Sequence, residues 1–81
     1  MRLHMHETEA ARIAAEAAME GVSVKAANVF YGLAHSMHVD TVADMRYLNR
    51  NEIVQATGLT VVDASKIMKA AQNLLEWDIE R

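Results

Sequence analysis

Residues 52–69 read EIVQATGLTVVDASKIMK, two helix-forming segments separated by a glycine. A short segment precedes Gly58, and a longer one with apolar side chains at helical spacing follows Thr60. Glycine ends a helix readily because it adopts the left-handed backbone conformation at little steric cost. A threonine at the start of the next helix caps it with its hydroxyl oxygen. The stretch therefore predicts two helices joined by a tight corner.

The residues around this corner extend the prediction in both directions. Asn49 stands three residues before Glu52, a spacing typical of the reciprocal capping box at a helix start. We therefore expect the first helix over residues 50–57 and the second to run to about Leu75. The side chains expected to be buried by the pair are Ile53 and Leu59 inside the corner, and Ala64, Ile67, Met68 and Ala71 on the longer helix.

This arrangement resembles the helix-turn-helix of bacterial winged-helix regulators and of phage and plasmid replication initiators. The resemblance rests on the Glu-Ile start at Glu52, the alanine and threonine before Gly58, Leu59 after it and the polar cap Thr60. It implies an all-α or mainly α domain of four helices, with the helix-turn-helix over residues 49–76.

In the winged-helix pattern, short strands flank this motif. Before the motif, the resemblance implies a short strand over Met45–Leu48. After the motif, Leu75–Arg81 would begin the first strand of the wing. The alternation of apolar and polar side chains from Leu75 to Ile79 also favours a strand. No glycine follows the long helix, and few residues remain after it. We therefore expect a winged-helix-like domain with a minimal or missing wing.

The first half of the chain predicts two further helices within a single domain spanning residues 1–81. One helix covers residues 7–20 and ends at Gly21, and the other covers residues 24–38 with Ser23 as its cap. Residues 1–6 are expected to fray, and residues 39–44 to form a loop. The best apolar stripe lies on the second helix and consists of Ala26, Phe30, Leu33, Ala34 and Met37.

Composition excludes several classes of function. The chain has 81 residues, is 52% apolar, and contains neither proline nor cysteine. The absence of cysteine rules out disulfides, thiol catalysis and cysteine-containing zinc sites. No apolar run exceeds three residues, which predicts no membrane span, no signal peptide and a cytoplasmic location.

Neither catalysis nor a cofactor is expected. No glycine-rich phosphate loop is present, and the three serines suit caps or surface positions. The four histidines form two pairs, His4 with His6 and His35 with His38. Zinc needs three or four preorganised ligands, and nothing in the sequence brings the two pairs together. We therefore predict a protein that is not an enzyme and has no metal site.

Charge is distributed unevenly along a chain whose net charge is −3. Residues 1–44 contain three basic and six acidic side chains, whereas residues 45–75 contain four basic and two acidic ones. Basic side chains supply most of the affinity for the phosphate backbone of nucleic acids. The small positive excess therefore coincides with the helix-turn-helix.

The resemblance and this charge distribution together predict a sequence-specific protein for double-stranded DNA. Its role would be transcriptional repression or replication and copy control of phage or plasmid type. The residues expected to contact DNA are Arg46, Arg50, Thr60, Val61, Ser65, Lys66 and Lys69.

Two questions about partners stay open at this level. Val61 and Val62 on the outward face of the long helix suit thymine methyl groups, but they equally suit a protein partner. The alternative function is therefore a protein–protein interaction module on the same scaffold. Ala10, Ala14 and Ala18 form a small-residue stripe that packs either within the chain or against its own copy. We expect a homodimer through residues 7–20.

Overall fold

The computed structural model describes residues 5–80, with side chains described for residues 9–79. Within this range all regular secondary structure is helical, and no strand is present. The elements in chain order are α1 (Met5–Met19), α2 (Val24–Leu33), a 3₁₀ helix η1 (Val42–Tyr47), α3 (Arg50–Thr57) and α4 (Val61–Glu80). The prediction of a mainly α domain is confirmed, while its assignment to the winged-helix group stays a prediction.

The strand predicted at Met45–Leu48 is wrong, because residues 42–47 form η1. Side chains three residues apart lie on the same side of a 3₁₀ helix, and both Val42 and Met45 are buried. The loop predicted over residues 39–44 is accordingly shorter, since η1 begins at Val42. The apolar side chains of this segment are therefore buried from a 3₁₀ helix and not from the strand that we expected.

The strand predicted at the end of the chain is also wrong, because α4 continues through Leu75 to Glu80. Leu74 and Leu75 pack against the core, and Arg12 Nη2 lies 2.9 Å from Asp78 Oδ1. This ion pair and this packing tie the last turns of α4 to α1. The apolar–polar alternation here belongs to a helix, and the first wing strand does not form among residues 75–80.

The predicted second helix was too long, because regular α2 ends at Leu33 and tight turns continue to His38. His38 has a φ of 63°, in the left-handed region. The N–H of Val39 donates to Ala34 O at 2.9 Å, and the N–H of His38 donates to His35 O at 2.9 Å. These two bonds form a Schellman motif, which here uses histidine in place of the usual glycine.

The predicted helix boundaries at Gly21 and Ser23 are confirmed. Gly21 has a φ of 101°, and the N–H of Val22 donates to Ala17 O at 3.0 Å, which completes a second Schellman motif. Ser23 Oγ accepts the N–H of Ala26 at 3.1 Å at the start of α2. At the other end of α1, the helix begins at Met5, two residues before the predicted start; residues 1–4 lie outside the described residues.

The core surrounds α1, which packs against α4 on one side and α2 on another, and η1 and α3 complete it against α4. Of the predicted stripe on α2, Ala26, Phe30 and Ala34 are buried, while Leu33 and Met37 are half-buried. The face of α4 is buried as predicted at three of four positions, with Met68 half-buried and Ala70 added. The buried residues of α1 are Ala10, Ile13 and Ala17, whereas Ala14 is half-buried and Ala18 exposed.

We expect Phe30→Ala to lower the free energy of unfolding by about 3–5 kcal/mol, because its ring is fully buried in this core. The matched control is Tyr31→Ala, since Tyr31 is the next residue on the same helix and is 38% exposed. Urea denaturation of both variants measures the difference. Equal losses for the two variants would contradict the described packing of α2.

Candidate nucleic-acid interface

The corner between α3 and α4 is held by one glycine and one threonine. Gly58 has a φ of 75°, and its N–H donates to Val54 O at 2.8 Å. Thr57 Oγ1 donates to Ile53 O at 2.6 Å and accepts the N–H of Leu59 at 3.1 Å. The glycine was predicted from the sequence, but this second role of Thr57, which links the end of α3 to the turn, was not. These bonds determine the direction in which α4 leaves the corner.

The first turns of α4 present several of the predicted contact residues to solvent. Thr60 Oγ1 accepts the N–H of Asp63 at 3.0 Å, as expected for the cap, and the side chain of Thr60 is exposed. Val61 and Val62 are 48% and 60% exposed, and Ser65 is half-buried. The opposite side of α4 faces the core. The start of α4 is therefore an accessible ridge.

A groove of about 520 Å³ runs beside this ridge, between α4 and the segment that joins η1 to α3. Three basic side chains line it: Arg46 at the end of η1, Arg50 at the start of α3 and Lys69 on α4. No carboxylate lines this groove among the residues that the structure describes. The remaining lining residues are Met45, Leu48, Asn49, Ser65, Met68, Ala71, Gln72 and Leu75. We call this feature the basic groove.

Local hydrogen bonds place the two arginines on their side of the basic groove. Asn49 Oδ1 accepts the N–H of Glu52 at 2.9 Å, and Glu52 Oε1 accepts the N–H of Asn49 at 2.8 Å. This capping box, predicted from the spacing, starts α3 at Arg50 and holds the carboxylate of Glu52 on the backbone of Asn49. The position of Arg46 depends on η1, because Arg46 lies near the end of that helix, and the start of η1 is stabilised by Asp44.

Asp44 acts as a cap that the sequence analysis did not identify. Its Oδ2 atom accepts the backbone N–H of Asp40 at 2.8 Å and that of Thr41 at 2.9 Å. These hydrogen bonds favour the ionised carboxylate, so they hold the pKa of Asp44 below its ordinary value. The available signal was an aspartate three residues after a threonine, a spacing that also occurs in many loops.

Lys66, also predicted as a DNA contact, does not line the basic groove. It lies on the other flank of α4, where a methyl group added to the Cα of Gly21 would be 3.2 Å from Lys66 Nζ. The lysine side chain is half-buried there, against the turn between α1 and α2. The structure therefore brings Lys69 together with Arg46 and Arg50 and separates Lys66 from them.

Two polar residues that the sequence analysis passed over belong to this region. Gln72 lines the basic groove, in register with Ser65 and Lys69 at i, i+4 and i+7, a spacing that identifies one helix face. Asn73 lies on the flank toward α1, where its Nδ2 donates to Glu20 Oε2 at 2.8 Å. Gln72 could have been identified from the helical periodicity of α4. The contact of Asn73 with Glu20 could not, because it depends on how α1 packs against α4.

Charge changes sign along α4. Its N-terminal half carries Lys66 and Lys69 against one carboxylate, Asp63, whereas Glu76 and Asp78 lie near its end. The guanidinium of Arg12 offsets Asp78, and its hydrogen bond to that carboxylate raises the pKa of Arg12 above its ordinary value. An approaching polyanion would therefore meet a favourable potential at the N-terminal half of the helix and an unfavourable one at its C-terminal half.

The histidines do not form a metal cluster within the described residues. The side chain of His35 is 97% exposed, and its Nδ1 lies 3.9 Å from Asp40 Oδ1. No group of three or more histidine, aspartate or glutamate side chains in the described range is arranged to hold a metal ion. The predicted pair His4 and His6 lies outside the residues whose side chains are described.

Comparison with family models, with curated proteins and with solved structures finds no match for this chain. Its interpretation therefore depends on the residues themselves. Within residues 5–80, none of the helices combines the length and apolar character that crossing a bilayer requires.

The lowered pKa of Asp44 leads to a prediction about acid stability. Its ionised form stabilises the fold above the ordinary value of 3.8, and this contribution disappears as the pH falls through the lower pKa of the folded state. We expect the free energy of unfolding to fall between about pH 5 and pH 2, and Asp44→Asn to weaken that dependence.

Urea denaturation at a series of pH values measures this effect. Asp40→Asn, which removes one carboxylate from the same turn, is the control. Identical pH profiles for Asp44→Asn and the parent would show that the cap contributes nothing to acid stability.

Proposed function

We propose that this chain binds double-stranded DNA through α4 and the basic side chains beside it. One observation supports this most strongly: Arg46, Arg50 and Lys69, from three different elements, line one groove beside α4, whose first two residues are exposed. Basic side chains clustered along one flank of an accessible helix match the electrostatic footprint of a nucleic-acid site. The overall charge of −3 does not oppose this, because the acidic excess lies in residues 1–44 and at the C-terminal end of α4, outside the basic groove.

In the proposed complex, α4 enters the major groove with its first turns toward the base edges. Ser65 is the polar side chain nearest the middle of that face, and Val61 suits the methyl group of thymine. Arg46 and Arg50 contact phosphates on one flank, and Lys69 contacts a phosphate one turn further along α4. Lys66 has a smaller role here because its amine lies against the turn at Gly21.

We further propose that two copies act together as a homodimer. Ala11, Ala15 and Ala18 are exposed on α1, and Val24 and Tyr31 are exposed beside them on α2. These residues line a second groove, and none of the described residues that line it is charged. A two-fold axis brings identical surfaces together, so an uncharged surface associates without repulsion. A dimer reading two half-sites would suit repression or replication control in the cytoplasm.

A protein partner for the α4 ridge is the alternative function. The large exposed fractions of Val61 and Val62 favour it, because adjacent apolar side chains on a helix surface are common in protein interfaces. The basic groove favours DNA, since a protein partner would need a matching acidic surface. The two functions differ in whether the chain has affinity for duplex DNA that depends on salt.

For DNA binding we expect Arg50→Gln combined with Lys69→Gln to flatten the slope of log affinity against log salt by roughly 2 units per protomer. The physical reason is that each lost phosphate contact releases one fewer counterion. Fluorescence anisotropy with a duplex chosen by genomic selection measures the slope. Lys25→Gln is the matched control, because Lys25 is exposed on α2 away from the basic groove.

Failure to bind duplex DNA would contradict the proposed function. A parent protein that binds no selected duplex more tightly than about 10 µM at low salt would exclude the DNA hypothesis. In that case the alternative predicts that Val61→Glu with Val62→Glu abolishes binding to a protein partner. The Arg50 and Lys69 substitutions would leave that partner bound.

For the homodimer we expect Ala15→Glu to convert a dimer into a monomer, because it places a charge on the uncharged groove. Ala56→Glu is the control, since Ala56 is exposed on α3 and lies outside that groove. Sedimentation velocity separates the two states, and circular dichroism shows whether both variants keep their helices. A parent that sediments as a monomer at high micromolar concentration would exclude the dimer.

A further inference from the structure

The basic groove has an apolar interior that phosphate binding alone does not require. Met45 is 1% exposed at its base, and Leu48, Met68 and Leu75 are half-buried along its walls. Phosphate contacts need donors at the surface, as the arginines provide, but gain nothing from an aliphatic surface beneath them. The groove thus combines basic side chains with apolar surface.

The dimensions of the basic groove suit a small molecule. Its residues on α4 extend from Ser65 to Leu75, which corresponds to about 15 Å along the helix axis. Its volume of about 520 Å³ lies within the range of roughly 300–1,000 Å³ that is usual for ligand sites. An elongated ligand could therefore lie along α4 and contact both walls.

The charges identify the polar end of such a ligand. Arg46, Arg50 and Lys69 all line the groove, and the other polar lining residues, Asn49, Ser65 and Gln72, carry no charge. Guanidinium groups bind carboxylates strongly because two parallel N–H groups match the two oxygens. Methionine adapts its shape to flexible aliphatic chains, and the half-buried Met68 supplies such a side chain on the groove wall.

We propose that the basic groove binds an amphipathic organic anion, a carboxylate on an unbranched aliphatic chain. The carboxylate pairs with the arginines and Lys69, and the chain lies against Leu48, Met68 and Leu75. This assignment follows from the groove itself and goes beyond DNA binding.

The regulatory consequence, in contrast, rests on the proposed function. A ligand in the groove would neutralise Arg46, Arg50 and Lys69, the same side chains that DNA phosphates would contact. Ligand and duplex would then weaken each other's binding by the same factor, as thermodynamic linkage requires. The chain would release its DNA when the anion accumulates.

The direct test uses decanoate, kept below its micelle concentration, with the full chain and no DNA. Calorimetry measures its affinity, and amide resonances of residues 45–50 and 65–75 report its location. Decanol has the same chain without the charge, and acetate has the charge without the chain. We expect both to bind at least about tenfold more weakly than decanoate.

A pair of matched variants tests whether the groove is the site. Gln72→Glu adds a carboxylate to the groove and should weaken decanoate binding by up to about fivefold. Gln55→Glu makes the same exchange at an exposed position on α3 that does not line the groove, and should leave the affinity unchanged. Circular dichroism shows whether both variants keep the fold of the parent.

Three outcomes would contradict the proposal. Equal affinity for decanol would show that the cations do not recognise the anion, and equal affinity for acetate would show that the apolar walls play no part. Resonance shifts confined to α1 and α2 would place the ligand in the other groove. DNA binding is measured separately without decanoate, so a chain that binds decanoate but no duplex retains this site and loses only the proposed function.

Discussion

Contact between α1 and α4 through small side chains organises the rest of the fold. The two helices pack directly on each other, and their buried side chains are mostly alanines: Ala10 and Ala17 on α1, with Ala64, Ala70 and Ala71 on α4. Ile13 on α1 and Ile67 on α4 are the larger side chains that these helices bury fully. Because the two longest helices pack through one face each, α2 and the η1–α3 segment must cover the remaining sides of this pair. A chain of this size has a modest core, so few of these contacts are dispensable.

This packing also determines which charges meet. One face of α4 is buried in the core, and its solvent-exposed face is bordered on each side by another part of the chain. On one flank the η1–α3 segment brings Arg46 and Arg50 toward Lys69. On the other flank the end of α1 brings Glu16 and Glu20 to Asn73, and Lys66 lies against Gly21. The basic groove is thus a product of helix packing, since its three cations lie on three different elements and Lys69 is 19 residues beyond Arg50 in the chain.

Local chemistry explains which predictions were confirmed and which were wrong. Caps depend on a few adjacent residues, and for that reason Ser23, Asn49, Gly58 and Thr60 could all be identified from the sequence. The left-handed residue at His38 escaped prediction because histidine adopts that conformation far less often than glycine does. The strand at the end of the chain was wrong because a short alternation of apolar and polar side chains suits either a strand or the exposed end of a helix.

The sequence by itself determined the mainly helical class, the corner at Gly58 and the apolar faces of α2 and α4, because each depends on residues within one or two helical turns. It also placed the basic excess within residues 45–75. Only the tertiary structure decided that residues 42–47 form a buried 3₁₀ turn, that α4 continues to Glu80, and that Lys69 rather than Lys66 joins the arginines. Those outcomes depend on contacts between residues distant in the chain, such as Arg12 with Asp78, and no local pattern contains that information.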